Sequence, residues 1–222
     1  MQNFVNTIRC TLGVVFVAVA SVAATGEAPS AERVTPAISH YHRIAPYAAT
    51  AGLLGAGGLE EARRLGFARV IDLRTAAEGA ASEQRAARRL GIPYLNIPVA
   101  TRAPTPAQVA AFAQAVEDPV NRPVLVHCHT ANRAGAMWAL YLASKGDSLE
   151  RAIAAGRAAG LAPNREPAVR TLIARAPNGD VTSLVSSPAA AGNTPEDTVA
   201  PAPGAGADEN PFDLNAGQDM GC

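Results

Sequence analysis

Residues Pro123 to Gly135 read Pro-Val-Leu-Val-His-Cys-His-Thr-Ala-Asn-Arg-Ala-Gly, and here a buried strand is predicted to run directly into a helix. The Val-Leu-Val run at 124–126 is short and apolar, which is typical of a parallel strand covered on both faces. From Arg133 onward, strong helix formers and an apolar face predict a helix. The residues between Cys128 and Arg133 must therefore turn the chain from strand to helix.

Such a turn leaves successive backbone N–H groups without partners, and together they form a concave site for an anion. The helix dipole adds positive potential at the same place. The planar guanidinium of Arg133 matches two oxygens of a phosphate or sulfate, and a cysteine sulfur in this field favours its thiolate form. The sequence therefore predicts that Cys128 is a nucleophile and that Arg133 binds an oxyanion. A buried structural cysteine is the alternative.

Other motifs accompany this turn along the chain. They are Val126-His-Cys128, Asn132-Arg-Ala-Gly-Ala136, Trp138-Ala-Leu-Tyr141, Val70-Ile-Asp-Leu-Arg74, Ile97-Pro-Val99 and the segment 152–160. In this combination the sequence resembles the bacterial beta-lactamase-hydrolase-like phosphatase domains, a branch of the cysteine-dependent protein tyrosine and dual-specificity phosphatase superfamily. The resemblance covers about residues 38–176. It is specific for the family and less specific for a substrate.

The resemblance implies hydrolysis of phosphate monoesters through a cysteinyl-phosphate intermediate, with Cys128 and Arg133 as catalytic residues. It implies a phosphorylated or otherwise oxyanionic small molecule or protein as the substrate, and no cofactor. The histidines match no zinc-ligand spacing, so no metal is predicted. The predicted substrate-binding residues are His129, Thr130, Ala131, Asn132 and Arg102. Two further residues are predicted to support the site. His127 would brace the loop by hydrogen bonding, and Asp72 would pair with Arg74.

Three features depart from the wider phosphatase pattern. Four residues, one fewer than usual, separate Cys128 from Arg133, and this shorter loop is similar to that of rhodanese-type sulfurtransferases. Ala134 stands where a hydroxyl residue usually follows the arginine. The loop expected to carry the general acid, residues 100–105, contains no carboxylate. The remaining candidate proton donors are Glu78, Glu83 and Asp118.

These departures leave two alternative functions open. One is sulfur transfer through a persulfide on Cys128, as in rhodanese-type proteins. The other is a domain that binds oxyanions without catalysis. Because the chain has no basic cluster interleaved with aromatic residues, nucleic-acid binding is not predicted.

The 222-residue chain divides into four predicted parts. Residues 1–24 resemble a signal peptide, with a positive start, an apolar run and small residues at a cleavage site. This predicts a periplasmic or secreted bacterial protein with no stable membrane span after cleavage. Residues 25–37 are predicted to be a linker, 38–177 the phosphatase-like domain, and 178–222 a disordered acidic tail. The tail holds seven acidic residues and no Lys or Arg, so residues 1–177 carry a net charge of +7, which suits an anionic substrate.

The remaining pattern predicts the fold class. The pattern predicts an α/β fold, a single domain with a central, mainly parallel sheet flanked by helices. The resemblance implies that this fold is cysteine-phosphatase-like. Extended segments are predicted at 68–73, 93–97 and 124–126. Helices are predicted at 59–66, 78–90, 105–117, from 133 onward, 148–159 and 163–176.

Overall fold

The computed structural model describes residues 26–176. The predicted signal peptide at 1–24 and the predicted acidic tail at 178–222 lie outside the described residues. The predicted linker at 25–37 and the phosphatase-like domain fall almost entirely within them.

A five-stranded sheet occupies the centre of this part of the chain. The strands are β1 (His42–Ala45), β2 (Ala48–Ala51), β3 (Arg69–Asp72), β4 (Tyr94–Asn96) and β5 (Val124–His127). Their spatial order is β1-β2-β5-β3-β4; β1 is antiparallel to β2, and every other neighbouring pair is parallel. The predicted α/β fold with a mainly parallel sheet is confirmed.

Helices cover both faces of the sheet. Thr105 and Gln108 form a capping box at the start of the helix Pro106–Glu117, and Pro106 occupies its first turn, where the missing N–H costs nothing. Within residues 26–176, no helix is long and apolar enough to cross a membrane. The helices are α1 (Gly58–Arg64), α2 (Ala80–Arg89), α3 (Pro106–Glu117), α4 (Asn132–Ser144), α5 (Leu149–Ala158) and α6 (Glu166–Ala174), with 3-10 turns at Ala31–Arg33, Ala76–Glu78 and Pro119–Asn121.

Successive residues of β5 face opposite sides of the sheet, as the period of a strand requires. Val124 and Val126 belong to an apolar core built with α3, α4, α5 and α6. Leu125 belongs to a second core built with α1 and α2. The alternation places Cys128 in the first core and His127 on the side of α2. Two adjacent residues therefore serve opposite faces of the sheet.

The hairpin of β1 and β2 was not among the predicted strands. The sequence of β2 is Ala-Ala-Thr-Ala, and alanine is a weak strand former. All four residues are buried, because β2 lies between β1 and β5. The Thr50 hydroxyl donates a hydrogen bond to the Ala159 carbonyl at 2.9 Å. Packing against neighbours thus outweighs the local propensity of this segment.

The segment predicted as a linker packs on the domain. Ala28 is 2% exposed, and its N–H donates to the Pro46 carbonyl at 2.6 Å. The Tyr41 hydroxyl donates to the Pro29 carbonyl at 2.6 Å. These contacts use backbone groups, which leave no periodic pattern in the sequence. The folded part of the chain therefore begins before residue 38.

The predicted helix at 78–90 begins two residues later than expected. Ala76–Glu78 forms a 3-10 turn, and Gly79 has a φ of +96°, a left-handed conformation that favours glycine. α2 starts only at Ala80. Glu78 consequently lies in a turn next to the end of β3 rather than within a helix.

Candidate active site

The loop that follows β5 is anchored to the end of β2 and to the residues just after it. The Cys128 N–H donates to the Ala51 carbonyl at 3.2 Å, and the His129 carbonyl accepts from the Leu53 N–H at 3.2 Å. The Ala131 backbone then turns through a φ of +63°, and its carbonyl accepts from the Gly135 N–H at 2.8 Å. These bonds fix both ends of the loop and direct the start of α4 towards Cys128.

The amide N–H groups of residues 129–134 surround this turn. Within residues 26–176, the amides of His129, Thr130 and residues 132–134 make no hydrogen bond to a protein group, whereas the Ala131 amide faces Ala51 in the bridge between Gly52 and Thr130. They include the first amides of α4, whose dipole places positive potential at its start. The thiol of Cys128, which is 1% exposed, lies at the beginning of the same loop. The backbone therefore has the donor arrangement of the predicted anion site.

Arg133 is held by three separate elements. Its Nη1 donates to the Leu73 carbonyl at 3.3 Å, to the Val99 carbonyl at 3.1 Å and to Glu78 Oε2 at 2.8 Å. Its Nη2 donates to Glu78 Oε1 at 2.5 Å. A guanidinium carries five N–H donors, so the Nε–H and the second hydrogen of Nη2 remain on one edge. That edge is the fork that can bind two oxygens of a phosphate.

Glu78 orients Arg133 and does not supply a proton. The hydrogen bond from Arg133 lowers the pKa of Glu78 to about 2, against an ordinary value of 4.5, although burial acts in the opposite direction. The same contact raises the pKa of Arg133. Glu78 is therefore ionised at neutral pH, and in that form it pairs with Arg133 and has no proton to give to a leaving group.

The other two candidate acids lie elsewhere. Glu83 belongs to the buried network on the α2 side of the sheet, 2.7 Å from Arg74. Asp118 caps the 3-10 turn at Pro119–Asn121 by accepting from the Val120 N–H at 3.0 Å. Neither lines the cavity at Cys128.

A cavity of about 420 Å³ opens at the loop. It contains most of the predicted site residues and adds several that the sequence did not indicate. Ala131 is fully buried with its methyl group against Gly160, outside the cavity wall. Arg102 lines a neighbouring cavity of about 260 Å³. The lining residues at the loop are Thr75, Glu78, Val99, Ala100, Cys128, His129, Thr130, Asn132, Arg133 and Arg165.

The Asn132 side chain holds the site together rather than leaving its amide free for a ligand. Its Oδ1 accepts from the Ala162 N–H at 2.9 Å, and its Nδ2 donates to Asn164 Oδ1 at 2.9 Å. These bonds tie the start of α4 to the segment between α5 and α6. His129 and Thr130 are exposed and line the same cavity.

Arg165 is the site residue that sequence reasoning missed. Its Nη1 donates to the carbonyls of Thr101 at 2.7 Å and Arg102 at 2.6 Å. Burial and the nearby charge of Arg133 lower the pKa of Arg165. No sequence motif joins it to Cys128, because only the packing of the segment before α6 brings it to the cavity.

A polar network lies behind the loop, on the opposite face of the sheet. Arg74 Nη2 is 2.9 Å from Asp72 Oδ2 and 2.7 Å from Glu83 Oε2, so the expected pairing of Asp72 with Arg74 is present. Tyr94 donates to Asp72 at 2.6 Å. Burial acts to raise the pKa of Asp72, but the hydrogen bonds from Arg74 and Tyr94 and the nearby His127 together outweigh it, and the net shift is downward.

His127 belongs to this network and not to the loop. Its Nε2 lies 2.8 Å from Glu83 Oε1 and 3.7 Å from Asp72 Oδ1. Among the described residues, neither ring nitrogen makes an aligned hydrogen bond. The expected hydrogen bond from its imidazole to the loop is absent there, because the strand alternation turns the ring away from Cys128.

The same network contains the group of side chains close enough to share a metal ion. One ligand atom from each of Asp72, Glu83 and His127 lies within 4.8 Å of the others. Arg74 already pairs with both carboxylates, however, and a second cation would have to displace a guanidinium that is almost fully buried. The arrangement fits an ion-pair network better than a metal centre.

Solved structures share this architecture. A putative phosphatase (DUF442) from Shewanella putrefaciens CN-32 superposes with a TM-score of 0.52 at 24% identity, over 65% of this chain and 97% of that one. TpbA of P. aeruginosa, solved in complex with pTyr, gives 0.53 at 18%, over 74% and 96%. The core catalytic domain of a PP-IP phosphatase from S. cerevisiae, in complex with citrate, gives 0.55 at 15%, over 69% and 94%. The fold is that of the cysteine phosphatases.

The family follows from the sequence match. Residues 49–167 match the family described as DSP-PTPase phosphatase fused to NAD+ Kinase, and because this is more than half of the chain, the chain belongs to that family. Beta-lactamase hydrolase-like proteins from two strains of Xylella fastidiosa are 38% identical over 82 residues, which is 35% of this chain and 19% of each relative. The match thus spans about a fifth of those relatives. The resemblance seen in the motifs is confirmed.

Proposed function

We propose that this chain hydrolyses phosphate monoesters through a cysteinyl-phosphate intermediate on Cys128. The observation that carries the proposal is the set of unbonded amides at His129, Thr130 and residues 132–134 beside a buried thiol, with the free edge of Arg133 in the same cavity. Membership in a phosphatase family supports the reaction type.

In the first step the Cys128 thiolate attacks phosphorus, an S–P bond forms, and the P–O bond to the ester oxygen breaks. Charge develops on the nonbridging oxygens, which the loop amides and the Nε/Nη2 edge of Arg133 bind. Glu78 keeps that edge directed at the loop through its two bonds to Arg133. In the second step water attacks phosphorus, the S–P bond breaks, and phosphate leaves.

The leaving oxygen departs with little help from the protein. The loop at residues 100–105, which was expected to carry the general acid, contains no carboxylate. Glu78, the carboxylate that lines the Cys128 cavity, is ionised. A positioned general acid contributes roughly 10²- to 10⁴-fold to such a step. The site therefore favours esters whose leaving group is stable as an anion.

This reasoning predicts slow hydrolysis of 4-nitrophenyl phosphate and a steep fall with alkyl phosphates. Cys128→Ser should abolish turnover. Arg133→Lys, which keeps the charge but loses the fork, should lower kcat/KM by about 10²-fold, the effect of losing one transition-state donor. Released phosphate is the measurement. Glu60→Gln, an exposed change on α1, is the matched control and should behave as wild type.

Two alternatives, sulfur transfer and oxyanion binding without catalysis, predict different assay results for the same protein. The loop of four residues between Cys128 and Arg133 favours a test of sulfur transfer with thiosulfate and cyanide. Thiocyanate production with a sulfur atom added to Cys128, and no phosphate release above Cys128→Ser, would replace the phosphatase proposal. If neither phosphate nor thiocyanate is produced, the remaining alternative is a domain that binds oxyanions without catalysis.

A further inference from the structure

The charges in the Cys128 cavity are distributed unevenly. Arg133 is paired with Glu78 through two hydrogen bonds. Arg165 lines the same cavity, yet within residues 26–176 no carboxylate lies within ion-pair distance of it. The cation without a counter-ion at this site is therefore Arg165 rather than the arginine of the loop.

The Arg165 guanidinium is fixed in place before any ligand arrives. Nη1 donates to two carbonyls of the loop after β4, those of Thr101 and Arg102. Nε is buried and has no hydrogen-bond partner among the described residues. Burying a charged group without a partner is costly. Nη2 also makes no hydrogen bond to a described residue but is not buried, so it can donate to a ligand oxyanion, which would supply the missing charge.

Arg165 also stands where two cavities meet. It lines both the cavity at Cys128 and the neighbouring cavity of about 260 Å³, and Ala100 is the other residue common to them. The second cavity is lined in addition by Thr101, Arg102 and Asn164. Arg102 is exposed there, and its Nη1 donates to the Asn164 carbonyl at 3.0 Å. Two arginines thus border a polar space adjoining the nucleophile.

We infer that Arg165 and Arg102 form a second oxyanion subsite, so that the substrate is a phosphate ester carrying a further phosphate or carboxylate group. The inference rests on the proposed function, since Cys128 and the loop amides take the first phosphoryl group. The second group binds Arg165 through the accessible Nη2, whose N–H donors and charge fit either oxyanion. Arg165 is a residue for specificity and positioning, because it lies beside the reacting phosphate.

Protection of the Cys128 thiol from iodoacetamide tests the subsite without requiring turnover. The probes are methylphosphonate, alkane diphosphonates with one to four methylene groups, and the matching phosphonocarboxylates, at equal ionic strength because exposed charges are screened by salt. At least one two-headed probe should protect Cys128 at a concentration about tenfold lower than methylphosphonate, the gain expected from one additional charge-assisted hydrogen bond. The two series distinguish a phosphate subsite from a carboxylate subsite.

Arg165→Gln should abolish this tenfold advantage. Arg102→Gln, at an exposed side chain, should reduce it and serves if Arg165→Gln fails to fold. Arg88→Gln, an exposed arginine on α2 that borders neither cavity, should retain it.

An equal effect of one-headed and two-headed probes on wild type would overturn the inference, as would an unchanged advantage in both Arg165→Gln and Arg102→Gln. If the advantage holds while no phosphate ester is hydrolysed, the proposed function fails and the subsite stands. If esters are hydrolysed without the advantage, the subsite alone is refuted.

Discussion

At the scale of single residues, the position of Glu78 explains how Arg133 is directed at the loop. The carboxylate also accepts from the Thr75 N–H and hydroxyl, both at 2.9 Å, so it is itself fixed. Together with the carbonyls of Leu73 and Val99, it surrounds one side of the guanidinium. The opposite edge is left facing the amides of the loop.

Replacing Glu78 by Gln should lower stability in a pH-dependent way. The folded-state pKa of about 2 lies below the ordinary value of 4.5, so the carboxylate contributes stability that is fully present above about pH 4.5. That contribution is lost as the pH falls towards 2. Urea unfolding should show a gap between wild type and Glu78→Gln that is constant from pH 7 to 5 and closes below. A gap that does not change with pH would contradict this account of the Glu78–Arg133 pair.

Local sequence identified Cys128 and Arg133 because strand, turn and helix start are contiguous there. It did not assign Glu78 as the partner of Arg133 or detect Arg165, since both reach the site only through folding. His127 shows the limit of the resemblance: the family role suggested a contact with the loop, whereas the alternation of β5 turns the ring to Glu83.

At the scale of elements, the crossing of α4 and α5 sets the direction of α4. Gly135 lies at the point of closest approach, where a Cβ would fall 2.6 Å from the Gly156 carbonyl oxygen and closer still to the Leu161 N–H. Both contacts are with backbone, which cannot move aside cheaply. The Leu161 N–H itself donates to the Gly156 carbonyl at 2.8 Å.

Gly135→Ala should therefore destabilise the domain by about 2 kcal/mol or more, as overpacking of a close contact does. It should also lower turnover, because it displaces the start of α4. Thermal melts and the phosphate assay measure the two effects. Gly55→Ala is the matched control: its Cβ would meet only the Ala37 carbonyl oxygen at 3.6 Å, an ordinary contact, and it should stay within about 0.5 kcal/mol of wild type.

Most elements could be predicted from sequence, because caps and glycines mark their ends. The start of α3 at Thr105 and Pro106 and the end of α1 before Gly66 agree with the structure. β2 could not be predicted, because an alanine-rich strand is specified by the neighbours that bury it and not by its own residues. The turn at Gly79 was missed because helical composition continues on both sides of it.

At the scale of the whole molecule, the site lies at the carboxyl edge of the parallel strands, where α/β sheets bind ligands. Cys128 follows β5, and the carbonyls that hold Arg133 belong to Leu73 and Val99, just after β3 and β4. The parallel register of β3 with β5 and β4 brings these three ends together. The packed segment after residue 26 extends the domain beyond the motifs. Export through residues 1–24 stays a prediction from the sequence.

The most direct measurement is the mass of the Cys128 peptide after reaction. The protein is mixed with 4-nitrophenyl phosphate, quenched in acid within the first turnovers, digested and analysed by mass spectrometry. The account predicts a mass increase of one phosphoryl group on the peptide containing Cys128, and none in Cys128→Ser. Release of 4-nitrophenol without any phosphoryl group on Cys128, or with that group on another residue, would contradict it.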